Sequence, residues 1–341
     1  MATRTVNTAY GLETELEAAS AGDTINVESG TYNLPDQMQI DGAAGSSSAP
    51  IVVNFADGTK YIGDGGTGSH PAIRPINCSY IEFNDLELTD AGANGVRVDD
   101  SDHLTFRRPE IYENYYDSMQ FTNSDHCSVI GARFHDNYDP GNNGENADGL
   151  LIYSGDSNYF RDCLFYNNSD DGVDMYRSTN NLFVNCVSYG NGYGGSGDGN
   201  GFKMGIKGYG GGHRMWRCLS YSPGSNAQSA RGFDWNNAEN PSELYHCVAY
   251  DTTVGYRFTD QPDTLKNNIA YQNGTDESLN NSVTSEANTW DLGITDPQFA
   301  STDPSTTDFL RLTEGSPCVD AGVTLSVSDS RLTDTGPAVV Q

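Results

Sequence analysis

Apolar and polar positions alternate along this chain in short runs led by glycine: Gly95-Val96-Arg97-Val98, Gly149-Leu150-Leu151-Ile152, Gly172-Val173-Asp174-Met175, Gly201-Phe202-Lys203-Met204, Gly232-Phe233-Asp234-Trp235 and Gly255-Tyr256-Arg257-Phe258. Ser118-Met119-Gln120-Phe121 fills the one gap, and the first positions step by 23, 31, 23, 29, 31 and 23 residues. Such steps describe a 23-residue coil with insertions of about eight residues in some turns, which is a solenoid signature. Apolar residues two apart, bounded by Gly, Asn and Asp turns, indicate short parallel strands, and parallel crossovers are right-handed. The expected fold is therefore all-β, a right-handed parallel β-helix.

Two further columns keep the register. Leu86, Pro109, Ala132, Cys163, Cys186, Cys218 and Cys247 step by 23, 23, 31, 23, 32 and 29, so the four cysteines read as small buried residues stacked above one another. Asn114, Asn137, Asn168 and Asn191 step by 23, 31 and 23, as stacked amides at an inner corner would, and the column stops where Pro223 and Thr252 take the position. Residues 1–341 are expected to form a single domain. Leu12, Leu16 and Ala19 predict an amphipathic helix over 7–20 that caps the open end. Coils then run from about residue 24 to 275, and 276–341 form a tail along the helix side, with Asp308-Phe309-Leu310-Arg311-Leu312 its best strand.

Charge narrows the function. With 47 Asp and Glu against 18 Lys and Arg, a net charge of −29 argues against nucleic acid or an anionic membrane as partner, and an acidic ligand would need a cation bridge. Tyr, Phe and regularly spaced apolar residues supply enough to bury, which argues against disorder. The chain has four lysines, and that scarcity beside abundant Asp suggests a surface adapted to high salt. No apolar run is long enough to span a bilayer, and Met-Ala-Thr-Arg opens without the apolar stretch of a leader, so the chain is either cytoplasmic or secreted with its leader removed, and the latter is expected. Seven cysteines without a CxxC pair argue against a disulfide framework and a zinc site.

In-register columns turn alignment into geometry, because equivalent positions in adjacent coils lie one strand spacing apart, about 4.8 Å. The residue before each glycine gives the row Asn94, Asp117, Asp148, Asp171, Asn200, Arg231. The residue two after it gives Arg97, Gln120, Leu151, Asp174, Lys203, Asp234, Arg257. Asp148, Asp170, Asp171 and Asp174 thus gather on one face, where either their pKa values rise or a hard cation sits among them. Oxygen-only ligands favour calcium, and a solvated acidic turn is the plain alternative. Lys203 lies between Asp174 and Asp234. As a general base it would have to lose its proton against those aspartates, whereas calcium and the nearby Arg231 would favour that loss, so activity should rise toward alkaline pH. The insertions Tyr138 to Glu145, Gly192 to Gly199 and Ile206 to Gly212 are expected to wall this face.

Three segments, Asn146-Ala147-Asp148-Gly149, Ser169-Asp170-Asp171-Gly172-Val173-Asp174 and Asn200-Gly201-Phe202-Lys203-Met204-Gly205, resemble polysaccharide lyase family 9. The resemblance implies a calcium-dependent pectate or rhamnogalacturonan lyase in which Asp148, Asp170, Asp171 and Asp174 bind calcium and Lys203 abstracts the C5 proton of a galacturonate. It implies an acidic polysaccharide as partner and a secreted enzyme, expected as a monomer. Arg231, Asp234, Asn200 and His213 are candidate substrate contacts, with a structural Arg–Asp pair as the alternative for the first two. A β-helix glycoside hydrolase using Asp148, Asp170 and Asp171, or a carbohydrate-binding solenoid without catalysis, are the competing readings.

Overall fold

In the computed structural model, which describes residues 1–66, 70–227, 229–326 and 329–332, every named strand pairs in parallel with its counterpart one coil away. Three sheets run the length of the solenoid, one of twelve strands and two of ten. The glycine-led runs all fall in one ten-stranded sheet, from Met38–Asp41 to Thr275–Leu279, called here the front sheet. Its register is the one the spacing predicts: Gln120 pairs with Leu151, Leu151 with Asp174, Asp174 with Lys203, Lys203 with Asp234 and Asp234 with Arg257.

The core is a set of stacks. Inward Phe121, Phe160, Phe165, Phe183, Phe202 and Phe233 are fully buried, and Cys163, Cys186, Cys218 and Cys247 are free, buried thiols. Asparagines hold the corner. Asn114 Nδ2 donates to Asn137 Oδ1 (3.0 Å), Asn137 Nδ2 to Asn168 Oδ1 (2.7 Å) and Asn168 Nδ2 to Asn191 Oδ1 (2.9 Å), all out of water. Beyond Pro223 the ladder resumes, since the Thr252 hydroxyl donates to Asn273 Oδ1 (2.8 Å). The residue before each member of the cysteine column turns the chain in the left-handed region, with Asp85, Arg108, Asp162, Asn185 and His246 at φ between 51° and 69°. One such residue per coil makes a sharp corner without a loop. The leading glycines answer a different need: a Cβ on Gly172 would stand 2.0 Å from Ser188 Oγ and 2.8 Å from the Gly201 carbonyl.

Three expectations need correction. The capping helix is Gly11–Glu17, shorter than 7–20, because residues 3–6 are already a strand of the twelve-stranded sheet; Leu12 and Leu16 do enter the core. Coils continue past residue 275, through Thr275–Leu279 and Thr284–Glu286. Residues 308–312 form no strand, only isolated bridges from Phe309 and Leu312; Leu310 is buried, and Phe309 packs on Tyr221 and Tyr250 as the tail crosses the helix side. The part of that tail at 333–341 lies outside the described residues. Among the described residues no helix is long and apolar enough to cross a membrane.

Candidate functional site

The row before the glycines is a ladder made of side-chain oxygens. The Asp148 amide donates to Asp117 Oδ1 (2.9 Å), the Asp171 amide to Asp148 Oδ1 (2.9 Å), the Asn200 amide to Asp171 Oδ1 (2.7 Å) and the Arg231 amide to Asn200 Oδ1 (3.0 Å). Each carboxylate in the row therefore spends one oxygen on the backbone of the next coil. The second oxygen of Asp148 and of Asp171 is left for something else. Asp170, beside this row, accepts the Asp198 amide (2.6 Å) and the Asn146 amide (3.0 Å).

Asp148, Asp170 and Asp171 each offer an oxygen, and these lie within 4.8 Å of one another. All three residues are buried, as is Asp174. Burial, followed by mutual repulsion, pushes Asp148 well above the ordinary carboxylate range; burial and then Asp171 push Asp170 up to about 8. Burial also raises Asp171 and Asp174, against the pull of Lys203. The Lys203 ammonium stands 3.0 Å from Asp171 Oδ2, 3.3 Å from Asp174 Oδ2 and 3.4 Å from Asp198 Oδ2. Burial pushes its pKa down, but Asp171, Asp174, Asp148 and Asp170 together outweigh that and hold the amine protonated. Asp171 Oδ2, near the ammonium but outside hydrogen-bond geometry, and Asp174 Oδ1 are buried without a hydrogen-bond donor. Four buried carboxylates against one ammonium leave excess negative charge, and the donors are all oxygen, so the cage suits a hard divalent cation.

A groove of about 410 Å³ opens over this cage, lined by Asn146, Asp148, Asp174, Tyr176, Asp198 and Lys203 among others. Two insertions wall it on one side. Tyr138 stacks on Tyr193 at 5.8 Å, and Gly144 packs so closely on Gly194 that a Cβ on either would stand within 2.6 Å of the other's Cα. The third insertion, around Tyr209, stands over Arg177, which follows Tyr176 of the lining, on the opposite side. A second cavity of about 410 Å³ lies under the tail, lined by Val248, Ile269 and Leu312 among others, and contains none of the row carboxylates.

The other sequence candidates separate. Asp234 is buried and held by Arg231 (3.3 Å) and Arg257 (3.2 Å), the structural pairing given as the alternative, with Arg231 about one quarter exposed. Asn200 is buried in the ladder, and its Nδ2 has no acceptor. His213 is fully buried away from the groove, which corrects its expected role as a substrate contact. Its Nδ1 accepts the Asn181 amide (3.3 Å), and burial lowers its pKa to about 3. It belongs to an interior column, Asn158, Asn181, His213, Ser242 and Asp263, linked amide to side chain. Two residues of the site went unassigned: Asp198, in an insertion without a register to place it, and Asp117, whose position in the aspartate row was the available signal.

Comparisons with known proteins agree with this architecture. Residues 2–288 match the family model described as Pel9A-like, right handed beta helix region. A curated relative, pectate lyase PEL9 of Emericella nidulans, is 30% identical over 331 residues, covering 82% of this chain and 78% of that one. Among solved structures, pectate lyase Pel9A superposes with a TM-score of 0.83 at 24% identity, covering 96% of this chain and 92% of the other. A rhamnogalacturonan lyase superposes with a TM-score of 0.72 at 18% identity, covering 89% and 92%. With most of the chain matched by the family model and a relative at this identity, the protein belongs to the Pel9A-like right-handed β-helix family.

Proposed function

We propose that this protein is a calcium-dependent polysaccharide lyase that cleaves galacturonate-containing pectic polymer by β-elimination, with Lys203 as the base. The observation that carries the reading is the placement of the Lys203 amine 3.0 Å from Asp171, at the edge of a buried three-aspartate cage and open to a groove. Relatives named pectate lyase and rhamnogalacturonan lyase support it. Asp148, Asp170 and Asp171 would hold the cation, with Asp174 at its margin. Calcium, when bound, supplies positive charge that acidifies the C–H next to a uronate carboxylate and offsets the carboxylates around the lysine. Lys203, as the neutral amine, takes the C5 proton, the C–H electron pair forms the C4–C5 double bond as the bond from C4 to its oxygen breaks, and the departing oxygen takes up a proton from water, leaving an unsaturated uronate. Because the aspartates hold Lys203 protonated, turnover should rise toward alkaline pH. A polymeric substrate places the enzyme outside the cell, and one chain carries the whole groove, consistent with a secreted monomer.

The test is absorbance of unsaturated ends from polygalacturonate and from rhamnogalacturonan, with calcium or with chelator. Signal on at least one polymer that chelator removes, and that Lys203→Ala reduces by at least about a thousandfold while the circular dichroism is retained, is the expected result. Saturated products that form regardless of chelator would instead identify a hydrolase.

A further inference from the structure

The charge pairing of this acidic surface has a gap beside the groove. Arg74, Arg97, Arg108, Arg133, Arg231 and Arg257 each hold an aspartate or glutamate. Arg177 holds none among the described residues, although the chain carries 47 acidic groups. Its guanidinium instead lies against three tyrosine rings, 5.9 Å from the centroid of Tyr153, 5.5 Å from Tyr176 and 4.9 Å from Tyr209. Tyr153 and Tyr176 stack on each other at 5.3 Å and both line the groove, while Tyr209, 55% exposed, stands over them from the third insertion. Lys207, in the same insertion, is also exposed without a carboxylate partner among the described residues.

The backbone explains why Tyr153 and Tyr176 of this cluster line the groove. Tyr153 and Tyr176 occupy the outward position two residues after Leu151 and Asp174, register partners in the front sheet, and two strand residues span about 7 Å. The rings therefore begin about 7 Å along the sheet from the row containing Asp174 and Lys203. In the next coil the equivalent position is Gly205, at φ 122°, so no third side chain covers the gap and the insertion turns there. The guanidinium carbon stands over all three rings, and its N–H groups, which have no hydrogen-bond acceptor among the described residues, are left to pair with an anion in bidentate fashion.

We propose that Arg177, cradled by Tyr153, Tyr176 and Tyr209, is a binding subsite for the carboxylate of a second uronate in the same chain as the sugar over the cage. The identity of the polymer rests on the function proposed above; the anion subsite rests on the unpaired guanidinium and its rings. A polyanion approaching a protein of net charge −29 needs fixed positive charge at more than one point, and a cation in the cage serves one carboxylate.

The experiment compares Arg177→Gln and Arg177→Lys with the wild type, and sets Lys203→Ala beside Lys203→Ala/Arg177→Gln for equilibrium binding of an oligogalacturonate in calcium by calorimetry. Loss of one charge-assisted contact predicts about a tenfold weaker affinity for Arg177→Gln, a KM raised about tenfold with kcat within about threefold, and partial recovery with Arg177→Lys. The KM of the wild type should also rise more steeply with salt than that of Arg177→Gln. A neutral galactose oligomer should show no loss on the substitution. Weakened oligogalacturonate binding without any unsaturated product would keep the subsite and remove the lyase reading. Affinity and KM within twofold of the parent, in an enzyme that does form unsaturated product, would overturn the subsite and leave the lyase intact.

Discussion

Asp263 ends the interior column that runs through Asn158, Asn181, His213 and Ser242, and it is the column's only carboxylate. One of its oxygens accepts the Ser242 amide at 2.6 Å, the other is buried with no donor, and the residue is 1% exposed. Burial raises its pKa from 3.8 to about 6. A carboxyl whose folded pKa lies above its unfolded value is favoured by folding while it is protonated. That contribution is complete below pH 3.8 and is lost as pH rises through about 6. The difference of about two pKa units corresponds to about 3 kcal/mol, so wild-type stability at pH 8 carries a penalty of about that size. Asp263→Asn keeps the acceptor for Ser242, supplies a donor where the orphaned oxygen was, and removes the charge. Urea unfolding should find the variant more stable by about 3 kcal/mol at pH 8 and by about half that at pH 5. A variant no more stable at pH 8, or an advantage that does not shrink by pH 5, would refute the linkage argument.

Two further outcomes test the ladder and the cage. Asn168→Ala takes the side-chain partner from the Asn137 amide and the Phe134 carbonyl in the core and one of three acceptors from the Asn137 side-chain amide, and should cost about 3 kcal/mol in urea unfolding while the sheet content by circular dichroism persists. Calcium at a hundredfold excess over its dissociation constant should stabilise the wild type by about 3 kcal/mol, seen as a raised unfolding midpoint that chelator reverses; Asp171→Asn should lose that shift, and an undiminished shift would place the cation elsewhere.

A solenoid writes much of its tertiary structure into its sequence, because neighbours in space are one period apart in the chain. The glycine-led runs therefore gave the front sheet and its register, and their steps of 23 and 29 residues put Asp148 beside Asp171 and Asp174 beside Lys203 from the chain alone. His213 was misplaced for want of the same arithmetic: it stands five residues before Cys218, as Asn158 stands before Cys163 and Asn181 before Cys186, so its column was interior. Folding alone decided what lies outside the period. Insertions carry no register, so nothing in the chain showed that Asp198 reaches Lys203 or that Tyr209 covers Arg177. The tail likewise obeys packing on Tyr221 and Tyr250, not a repeat. Which oxygen of Asp171 faces the next coil's amide and which faces the lysine is a choice of side-chain orientation, and only three-dimensional contacts fix that.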